Sequence, residues 1–449
     1  MTGAEGRQTA MRVIFLTHHF PPDVSAGASR TFEHCREWQN CGAEITVVTS
    51  APNHPDGKLR DGYRNRLWHR EVYQGIRVIR LWTFVAANRG VVKRSISFLS
   101  YFVAAVLAIP FLPKADVVVS TSPQFFCGLA GFFVARAKRA RWVLEIRDLW
   151  PDSISAVGAL HNRLALRVLE ALEGWAYRKA DLVVPVTTSM ARHIEARGVP
   201  RDRIRVVANG VDLTRFRAPT PDRALARSLD LEHRFVVGYL GTHGMAHPLE
   251  TVLEAASRLR EHRRIAFLLV GEGATREKLL RERDRLGLDN VVMLGLQPRD
   301  RMTALWSLCD VALVPLRRSL VLDTALPSKM LEAMAMGRPL IVAAEGEARA
   351  LAEAAGAGLV VAPEDSQALV KAVRRLAGDP ALARELGKRG RTWVERNHDR
   401  HRLARTMLQA IEGICSPEPA PTAALGPAQT HQGQWRRPTG WFSRRADTL

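Results

Sequence analysis

The sequence predicts two Rossmann-like α/β domains, each built on a doubly wound parallel sheet, that face a central cleft. The chain has 449 residues, a length that suits two or three domains. Its hydrophobic fraction of 47% and charged fraction of 24% are typical of globular proteins and argue against a disordered, collagen-like or coiled-coil protein. Short apolar runs alternate with helix-like segments through both halves, which is the pattern of βαβ units.

The first domain is predicted to span residues 11–208. Its strand-like runs are short, apolar and rich in β-branched residues, as strands buried in a parallel sheet are. They lie at residues 11–17, 44–49, 77–82, 116–120, 142–146, 182–186 and 204–207. Residues 1–10 are polar, lack the apolar stretch of a secretory signal, and are interpreted as a tail.

The alternation of strand-like and helix-like segments stops at residues 209–220, which we interpret as an interdomain linker. It resumes in a second domain, predicted at 221–397. Its strand-like runs lie at residues 235–240, 265–270, 291–294, 311–314, 340–343 and 359–361. A helix at 398–415 is expected to cross back to the first domain. Residues 416–449 lack apolar periodicity and are predicted to be a disordered tail.

The charge of the chain predicts an anionic partner. Lys and Arg total 65 against 45 for Asp and Glu, a formal net charge of +20. Three classes of partner remain open on this evidence: nucleic acid, a phosphate-bearing substrate and a membrane surface. The five cysteines form no CxxC pair, which argues against a disulfide framework or a structural zinc site and favours a reducing compartment.

Two loops of the first domain carry candidate site residues. The turn after the first strand contains His18, His19 and Gly27, and such a strand-to-helix turn lets backbone amides approach an anion. The alternative is an ordinary βα loop. After a later strand, Arg147 is placed to hold a phosphate and Asp148 to orient a substrate hydroxyl. The alternative there is a salt bridge beside a packed Trp150.

A third candidate site lies where an extended segment enters a helix. Pro327, Ser328 and Lys329 occupy its first turn, where free amides and the positive end of the helix dipole favour a diphosphate. Lys329 adds a full charge. Glu332, one turn further, is placed to accept hydrogen bonds from two ribose hydroxyls, or it is simply a solvated helix residue.

These motifs, in this order, resemble the retaining GT-B glycosyltransferases of family 4. The likeness is greatest to the bacterial subgroup that builds surface polysaccharides, similar to the colanic-acid and N-acetylfucosamine transferases. It covers about residues 11–415. The matching pieces are HHFPPD…G at His18, TSAPNHPDG at Thr49, EIRDLWPDS at Glu145, ANGVD at Ala208, VGEG at Val270 and LPSKMLEAMAMGRP at Leu326.

The resemblance implies an enzyme that transfers a sugar, with retention, from a nucleotide-sugar donor, UDP-linked, to a polyprenyl-linked saccharide. It implies no metal and no cofactor. It places Asp148, Arg147 and Lys329 among the catalytic residues, and Glu332, Ser328 and Pro327 at the donor. His18, His19 and Gly27 form the acceptor or phosphate loop.

Two departures from the broad family bear on the donor site. The family's E-x7-E motif would place its first Glu at Thr324, beside Asp323, and only the second Glu is present, as Glu332. The Arg and Lys that the family places near the diphosphate are replaced, after Gly241, by Thr242 and His247. We expect all of these positions to line the donor site, with Lys329 and the backbone carrying more of the phosphate binding.

An uncharged run of 17 residues at 96–112 raises the question of a membrane. Spanning a bilayer takes about 20 apolar residues, and Pro110 would disturb a spanning helix. Eight basic residues and one acidic residue, Asp116, lie between Arg89 and Arg141. We expect a monotopic helix on an anionic membrane surface, which makes the protein cytoplasmic and peripheral. The alternative is a core helix.

Two other functions stay open at this point. One is a nucleotide-sugar epimerase on the same two-domain fold. The other is a nucleic-acid-binding protein, motivated by the net charge of +20. The sequence shows no zinc spacing, RNP aromatics or helix-turn-helix pattern, so we expect no nucleic-acid partner.

Overall fold

The computed structural model describes residues 10–23, 25–54, 57–86, 91–122, 124–150, 162–217 and 222–415. Nearly all of the predicted N-terminal tail and the whole predicted tail at 416–449 lie outside these residues. So do residues 218–220 of the predicted linker. The domain boundaries at residues 208, 220 and 397 stay predictions.

The first sheet holds the strands of the first half of the chain. Its strands in chain order are β1 (Arg12–Leu16), β2 (Glu44–Ser50), β3 (Trp68–Tyr73), β4 (Ile76–Leu81), β5 (Val117–Thr121), β6 (Arg141–Ile146) and β7 (Leu182–Pro185). They lie in the order β3-β4-β2-β1-β5-β6-β7. All neighbours are parallel except β3, which runs antiparallel to β4 at one edge.

Two details of this sheet differ from the sequence prediction. The edge strand β3 was not predicted, because its exposed residues alternate with partly buried ones and give no apolar run. The predicted strand at 204–207 forms only an isolated bridge between Ile204 and Val183. Pro185 lies beside this segment and has no N–H to donate, so the ladder does not continue.

The second sheet is entirely parallel. Its strands are β8 (Phe235–Leu240), β9 (Ile265–Val270), β10 (Val291–Leu294), β11 (Val311–Pro315), β12 (Leu340–Ala343) and β13 (Gly358–Val361). Their order, β10-β9-β8-β11-β12-β13, is the 3-2-1-4-5-6 order of a doubly wound sheet. β8 and β11 pair only through Val237 and Gly238, so these two strands separate towards their carboxyl ends.

Helices pack on both faces of each sheet. In chain order they are α1 (Ala26–Asn40), α2 (Val91–Leu107), α3 (Phe125–Lys138), α4 (Arg163–Lys179), α5 (Thr188–Ala196), α6 (Arg223–Ser228), α7 (Leu249–Arg258), α8 (Arg276–Leu286), α9 (Met302–Leu308), α10 (Ser328–Ala335), α11 (Gly346–Ala355), α12 (Ser366–Gly378), α13 (Pro380–Asn397) and α14 (Arg400–Cys415). Short 3-10 helices lie at Ile109–Phe111, Arg201–Arg203, Arg299–Arg301 and Leu322–Thr324.

The strand residues divide by alternation between two cores. On β1, Ile14 and Leu16 pack into a cluster with α2 and α3, whereas Val13 and Phe15 pack into a cluster with α1 and α14. The second sheet is divided in the same way into two clusters. Because helices cover both faces of each sheet, the central strands are apolar along their whole length. This pattern is what allowed them to be predicted from the sequence.

The last described helix, α14, packs on α1. Trp38 of α1 is fully buried, and its Nε1 donates a hydrogen bond of 2.8 Å to the carbonyl of Ala404. His401 Nδ1 lies 2.9 Å from Glu37 Oε2. Met407 and Ile411 are fully buried in the same cluster as Trp38. The helix that ends the described chain is therefore part of the core of the first sheet.

A buried carboxylate joins the two halves of the chain. Glu33 of α1 is 6% exposed, and its two oxygens pair with Arg299 and Arg400. Arg299 follows β10 of the second sheet, and Arg400 begins α14. Arg400 also donates hydrogen bonds of 2.9 and 2.6 Å to the carbonyl of Gly210. Helix α1 is thus tied through one carboxylate to the second sheet, to α14 and to the connecting segment.

Replacement of Glu33 by Gln is expected to lower the midpoint of thermal unfolding. The neutral amide leaves two guanidinium groups without their buried counterion, at a cost of about 3 kcal/mol. Glu44→Gln is the control, because the Glu44–Arg77 pair is more than half exposed and contributes no more than about 1 kcal/mol. Equal midpoints for the two variants would show that Glu33 does not hold the junction.

Candidate active site

The predicted site residues lie at the carboxyl ends of the parallel strands. In a doubly wound sheet, the connections diverge at a switch point and leave a crevice there. The switch point lies between β1 and β5 in the first sheet and between β8 and β11 in the second. The predicted residues lie in the loops after β1, β6 and β8, at the start of α1, and in α10 and the segment before it.

His18, directly after β1, is a core residue of the loop. It is 1% exposed, and its ring contacts the rings of Phe98 and Tyr101 on α2 at centroid distances of 5.3 and 5.2 Å. Its carbonyl accepts a hydrogen bond of 2.7 Å from Ser50 Oγ. Burial lowers the pKa of His18 well below its usual value, so the ring is neutral. His18 supports the loop from within the domain.

His19 is the more open of the two histidines. Its side chain is 15% exposed, and its Nδ1 lies 3.2 Å from Asp23 Oδ2. Burial, Arg147 and Arg94 together lower the pKa of His19 to about 3. His19 is therefore a neutral imidazole with a carboxylate on one nitrogen. The sequence prediction included both histidines but gave no role to Asp23.

Gly27 and Arg147 are in direct contact. Gly27 lies in the first turn of α1, and a Cβ at this position would lie 2.8 Å from Arg147 Cζ. A side chain at residue 27 would therefore displace the guanidinium. Burial lowers the pKa of Arg147, while the carboxylate of Glu145 opposes that shift. The structure thus places a desolvated cation at the N-terminus of α1, where the helix dipole also favours an anion.

Glu145 and Asp148 flank Arg147 on the strand and the loop after it. Glu145 is fully buried, and its Oε1 accepts a hydrogen bond of 2.8 Å from Arg30 Nε. Its main partner is therefore Arg30 and not Arg147. Asp148 is half-buried, and its carbonyl accepts a hydrogen bond of 3.2 Å from Ser122 Oγ. The predicted roles of Arg147 and Asp148 stay predictions.

Lys329 is a buried cation at the switch point of the second sheet. It is 9% exposed, and its Nζ donates a hydrogen bond of 2.6 Å to Tyr239 Oη. Gly241 follows β8, and a Cβ there would lie 2.9 Å from Lys329 Cε and Nζ. Among the residues that the structure describes, no carboxylate lies within 4.0 Å of Lys329 Nζ. Burial lowers the pKa of Lys329 to about 7.

The loop after β8 surrounds this lysine with neutral groups. Thr242 contributes its carbonyl, which accepts a hydrogen bond of 2.6 Å from Tyr239 Oη. His247 Nδ1 lies 3.0 Å from the carbonyl of Pro315. Burial, Lys329 and His243 lower the pKa of His247 to about 3, and burial lowers that of His243 to about 4. Neither histidine adds positive charge at neutral pH. Arg276 acts on His243 from α8, and Arg317 binds the carbonyl of Met245 on the outer side of the loop.

The segment before α10 contacts the first half of the chain. Pro327 is the N-cap of α10 and supplies no side-chain acceptor to the amides of Ser328 and its neighbours. The carbonyl of Thr324 accepts a hydrogen bond of 3.0 Å from Thr187 Oγ1, at the start of α5. Asp323 lies next to it, and burial raises its pKa. These residues line the face that the second half turns towards the first.

Glu332 lies one turn into α10. Its Oε2 accepts a hydrogen bond of 3.3 Å from Trp306 Nε1. Its Oε1 has no hydrogen-bond partner within the described part of the chain. Burial raises the pKa of Glu332, and the nearby Arg400, Arg299 and Arg215 oppose that shift. Glu332 thus has one oxygen available as a hydrogen-bond acceptor. It lies near Arg299 and Arg400, the two arginines that pair with Glu33.

Tertiary packing therefore brings together two groups of predicted residues. Gly27, Arg147 and His19 meet at the first sheet, and Gly241 and Lys329 meet at the second. Sequence reasoning gave no role to Asp23, although it follows His19 by four residues in the same loop. It also missed partners that lie in other elements of the chain: Tyr239, Arg299 and Trp306. Among the described residues, no cluster of three or more His, Cys, Asp or Glu is arranged to hold a metal.

Two protein-family models match the chain. A glycosyl transferase 4-like domain matches residues 26–210, and a domain described as glycosyl transferases group 1 matches residues 234–379. The chain is 27% identical over 423 residues to a putative colanic acid biosynthesis glycosyl transferase, WcaI, of Escherichia coli strain K12. That match covers 90% of this chain and 100% of the relative. The predicted family is confirmed.

Solved structures share the fold. Sucrose-phosphate synthase from Thermosynechococcus elongatus superimposes with a TM-score of 0.72 at 20% identity, over 90% of this chain and 99% of that one. Anabaena HepE in complex with UDP and glucose superimposes with a TM-score of 0.69 at 17% identity, over 90% and 100%. The predicted fold class, GT-B with two Rossmann-like domains, is confirmed.

Replacement of Lys329 by Met is expected to raise the melting temperature of the ligand-free protein. The substitution removes a buried ammonium and retains most of the side-chain volume. Because the pKa is lowered to about 7 from 10.5, the destabilisation is fully present below pH 7 and disappears above pH 10. The gain in melting temperature should follow that pH dependence. Lys371→Met, at an exposed position of α12, is the control and should show no such gain. A lower melting temperature for Lys329→Met would show that the ammonium is structural.

Proposed function

The chain belongs to the family 4-like glycosyltransferases, in the branch of bacterial polysaccharide enzymes, and from this premise we propose the following reaction. The enzyme transfers a sugar from a UDP-linked donor to a polyprenyl-linked saccharide, with retention of the anomeric configuration. It works at the inner face of the cell membrane and contributes to a surface polysaccharide.

The observation that carries the donor assignment is the buried amine of Lys329, which has no carboxylate within 4.0 Å among the described residues and is offset only at longer range by Glu332. A buried ammonium without a carboxylate partner is costly unless it serves a ligand. A diphosphate at the start of α10 would supply the missing charge, and the helix dipole would add to its stabilisation. HepE, of the same fold, forms a complex with UDP and glucose. These points support a nucleoside-diphosphate sugar as the donor.

Glu332 is proposed to bind the ribose of the donor. Its free Oε1 and its position one turn after Lys329 place a carboxylate beyond the diphosphate. Ser328 and Pro327 shape the start of α10, and Asp323 and Thr324 precede it near the donor sugar. Gly241, Thr242 and His247 close the other side of the diphosphate.

The chemistry proposed for the site is electrostatic. A hydroxyl of the acceptor bonds to the anomeric carbon while the bond from that carbon to the diphosphate oxygen breaks. The leaving diphosphate takes the electron pair and accepts the hydroxyl proton. Lys329 and the amides of α10 stabilise the charge that develops there. Arg147 and Asp148 act from the first domain on the acceptor side, where a cation and a carboxylate can hold and orient it.

The surface of α2 supports a membrane-bound acceptor. One face of this helix, with Tyr101, packs in the core, while the opposite face is exposed. Ile96, Leu99, Val103 and Leu107 are 46%, 47%, 47% and 70% exposed, at the spacing of one helix face. Among the described residues no helix has the length and apolar character needed to cross a bilayer. The exposed stripe suits a helix that lies in the membrane interface.

Three further elements of this domain also carry exposed apolar side chains. Phe111 is 67% exposed just beyond α2, and Phe133 of α3 is 42% exposed. Leu164 and Val168 of α4, one turn apart, are 70% and 51% exposed. The basic residues Lys93 and Arg94 are exposed at the start of α2, and Lys114 follows its end. A patch of apolar side chains with basic ends matches an anionic lipid surface.

Transfer to lipid tests the reaction directly. Labelled sugar nucleotides are offered one at a time with lipid extracts of bacterial membranes, and the organic phase is counted. We expect one donor to label the lipid fraction.

Glu332→Gln should weaken donor binding about 10- to 100-fold, since it loses a charge-assisted hydrogen bond. Glu353→Gln, on the exposed face of α11, is the control. Conversion of the sugar nucleotide without acceptor would instead identify an epimerase.

The membrane assignment is tested by sedimentation with anionic liposomes. The double substitution Leu99→Ser and Val103→Ser should release the protein from vesicles without lowering its melting temperature, because both side chains are half exposed. Phe102→Ser should instead lower the melting temperature, because this ring packs against Phe126 and Phe133. Wild-type protein that fails to sediment with the vesicles would contradict the assignment.

A further inference from the structure

We propose that His19 and Asp23 form a binding site for a hydroxyl of the acceptor sugar, in which His19 Nε2 is the hydrogen-bond acceptor and Asp23 holds the ring in that tautomer. The inference rests on the proposed function and assigns a role that the transfer reaction alone does not require. It starts from the loop after β1, at the switch point of the first sheet.

The geometry gives the two nitrogens of His19 different tasks. Nδ1 lies 3.2 Å from Asp23 Oδ2. An ionised carboxylate only accepts hydrogen bonds, so Nδ1 must carry the proton. Nε2 is then unprotonated and has a lone pair. It has no hydrogen-bond partner within the described residues, and the His19 side chain is 15% exposed.

Asp23 is itself held in place by the backbone of a second loop. Its Oδ1 accepts a hydrogen bond of 2.9 Å from the N–H of His54, which follows β2. The ring of His54 lies 4.6 Å, centroid to centroid, from that of His19. Thr17 Oγ1 donates a hydrogen bond of 3.0 Å to the carbonyl of His19. The histidine is therefore fixed both by its backbone and by its partner.

The electrostatic surroundings favour a neutral hydrogen-bond acceptor over a general base. Burial, reinforced by Arg147 and Arg94, lowers the pKa of His19 to about 3. A base of this strength takes up very few protons at neutral pH, whereas its lone pair still accepts hydrogen bonds. His19 therefore suits orientation of the acceptor, and the proton of the reacting hydroxyl goes to the diphosphate.

Asp23 determines the pH range in which this arrangement persists. Burial raises the pKa of Asp23 to about 6, against the His54 amide and the nearby His54, His18 and Arg80. Below this pH the protonated carboxyl can donate to Nδ1, and the ring proton then moves to Nε2. The acceptor KM should therefore rise as the pH falls through about 6.

The variant Asp23→Asn tests the role of the carboxylate with almost no change in shape. One Asp23 oxygen already accepts the His54 N–H, so the amide oxygen of the substituted side chain takes that place and its NH2 faces His19 Nδ1. The amide then donates to Nδ1, and Nε2 acquires the proton. Nitrogen-15 NMR of labelled protein should report this tautomer change without any substrate present.

Kinetics with the lipid acceptor supply the second measurement. Asp23→Asn and His19→Phe should each raise the acceptor KM about tenfold, as expected for one lost hydrogen bond, and leave the Kd for UDP unchanged. The acid rise in KM should be absent from Asp23→Asn. His19→Gln, which retains an acceptor oxygen, should restore part of the affinity.

The matched control is a second His–carboxylate pair outside the site. Glu37→Gln alters the contact of Glu37 with His401, which has a Nδ1 to Oε2 distance of 2.9 Å. This variant should leave the acceptor KM unchanged. An unaltered His19 tautomer or an unaltered acceptor KM in Asp23→Asn would overturn the inference. A wild-type enzyme that transfers no sugar would instead overturn the proposed function. The NMR measurement needs no substrate, so it would still report the tautomer of His19 in that case.

Discussion

The buried charge of Glu33 is the constraint on which the arrangement of the two halves depends. A carboxylate that is 6% exposed requires cations, and here they come from the second sheet and from the last described helix. Arg400, which pairs with Glu33, also donates to the carbonyl of Gly210, so the ion pair holds the connecting segment as well. Helix α1 carries this carboxylate and begins at the loop that contains Gly27. The position of the turn after β1 is therefore coupled to the junction of the halves.

The candidate site contains charges that stability alone would not select. Lys329 lies buried with no carboxylate within 4.0 Å among the described residues, and Arg147 lies desolvated over Gly27. The buried amine of Lys329 is costly in the absence of an anion and favourable in its presence, whereas Glu145 and Asp148 offset part of the cost of burying Arg147. A donor diphosphate and an anionic acceptor would supply that charge. Burial, reinforced by nearby cations, lowers the pKa of His19, His243 and His247 and keeps these three rings neutral.

The sequence was most informative where burial on two faces left a simple pattern. The central strands could be predicted because helices cover both sides of each sheet, which makes the strands apolar throughout. The edge strand β3 has one exposed side and half-polar composition, so the pattern failed there. The segment at 204–207 has the composition of a strand, yet Pro185 beside it prevents a ladder. Composition therefore predicted which segments have the character of a strand, but not which adjacent segments can form a continuous hydrogen-bonded ladder.

By itself, the sequence determined the fold class and the family, because local patterning and motif order are properties of the chain alone. It also identified Lys329, Glu332, Arg147 and His19 as candidates from their residue type and position in a motif. Only the tertiary structure decided what each of them contacts. Tyr239 lies 90 residues before its partner Lys329, and Arg299 lies 266 residues after Glu33. Contacts of such sequence separation are set by the order of strands in the sheets, and a pattern read along a single chain does not contain that order.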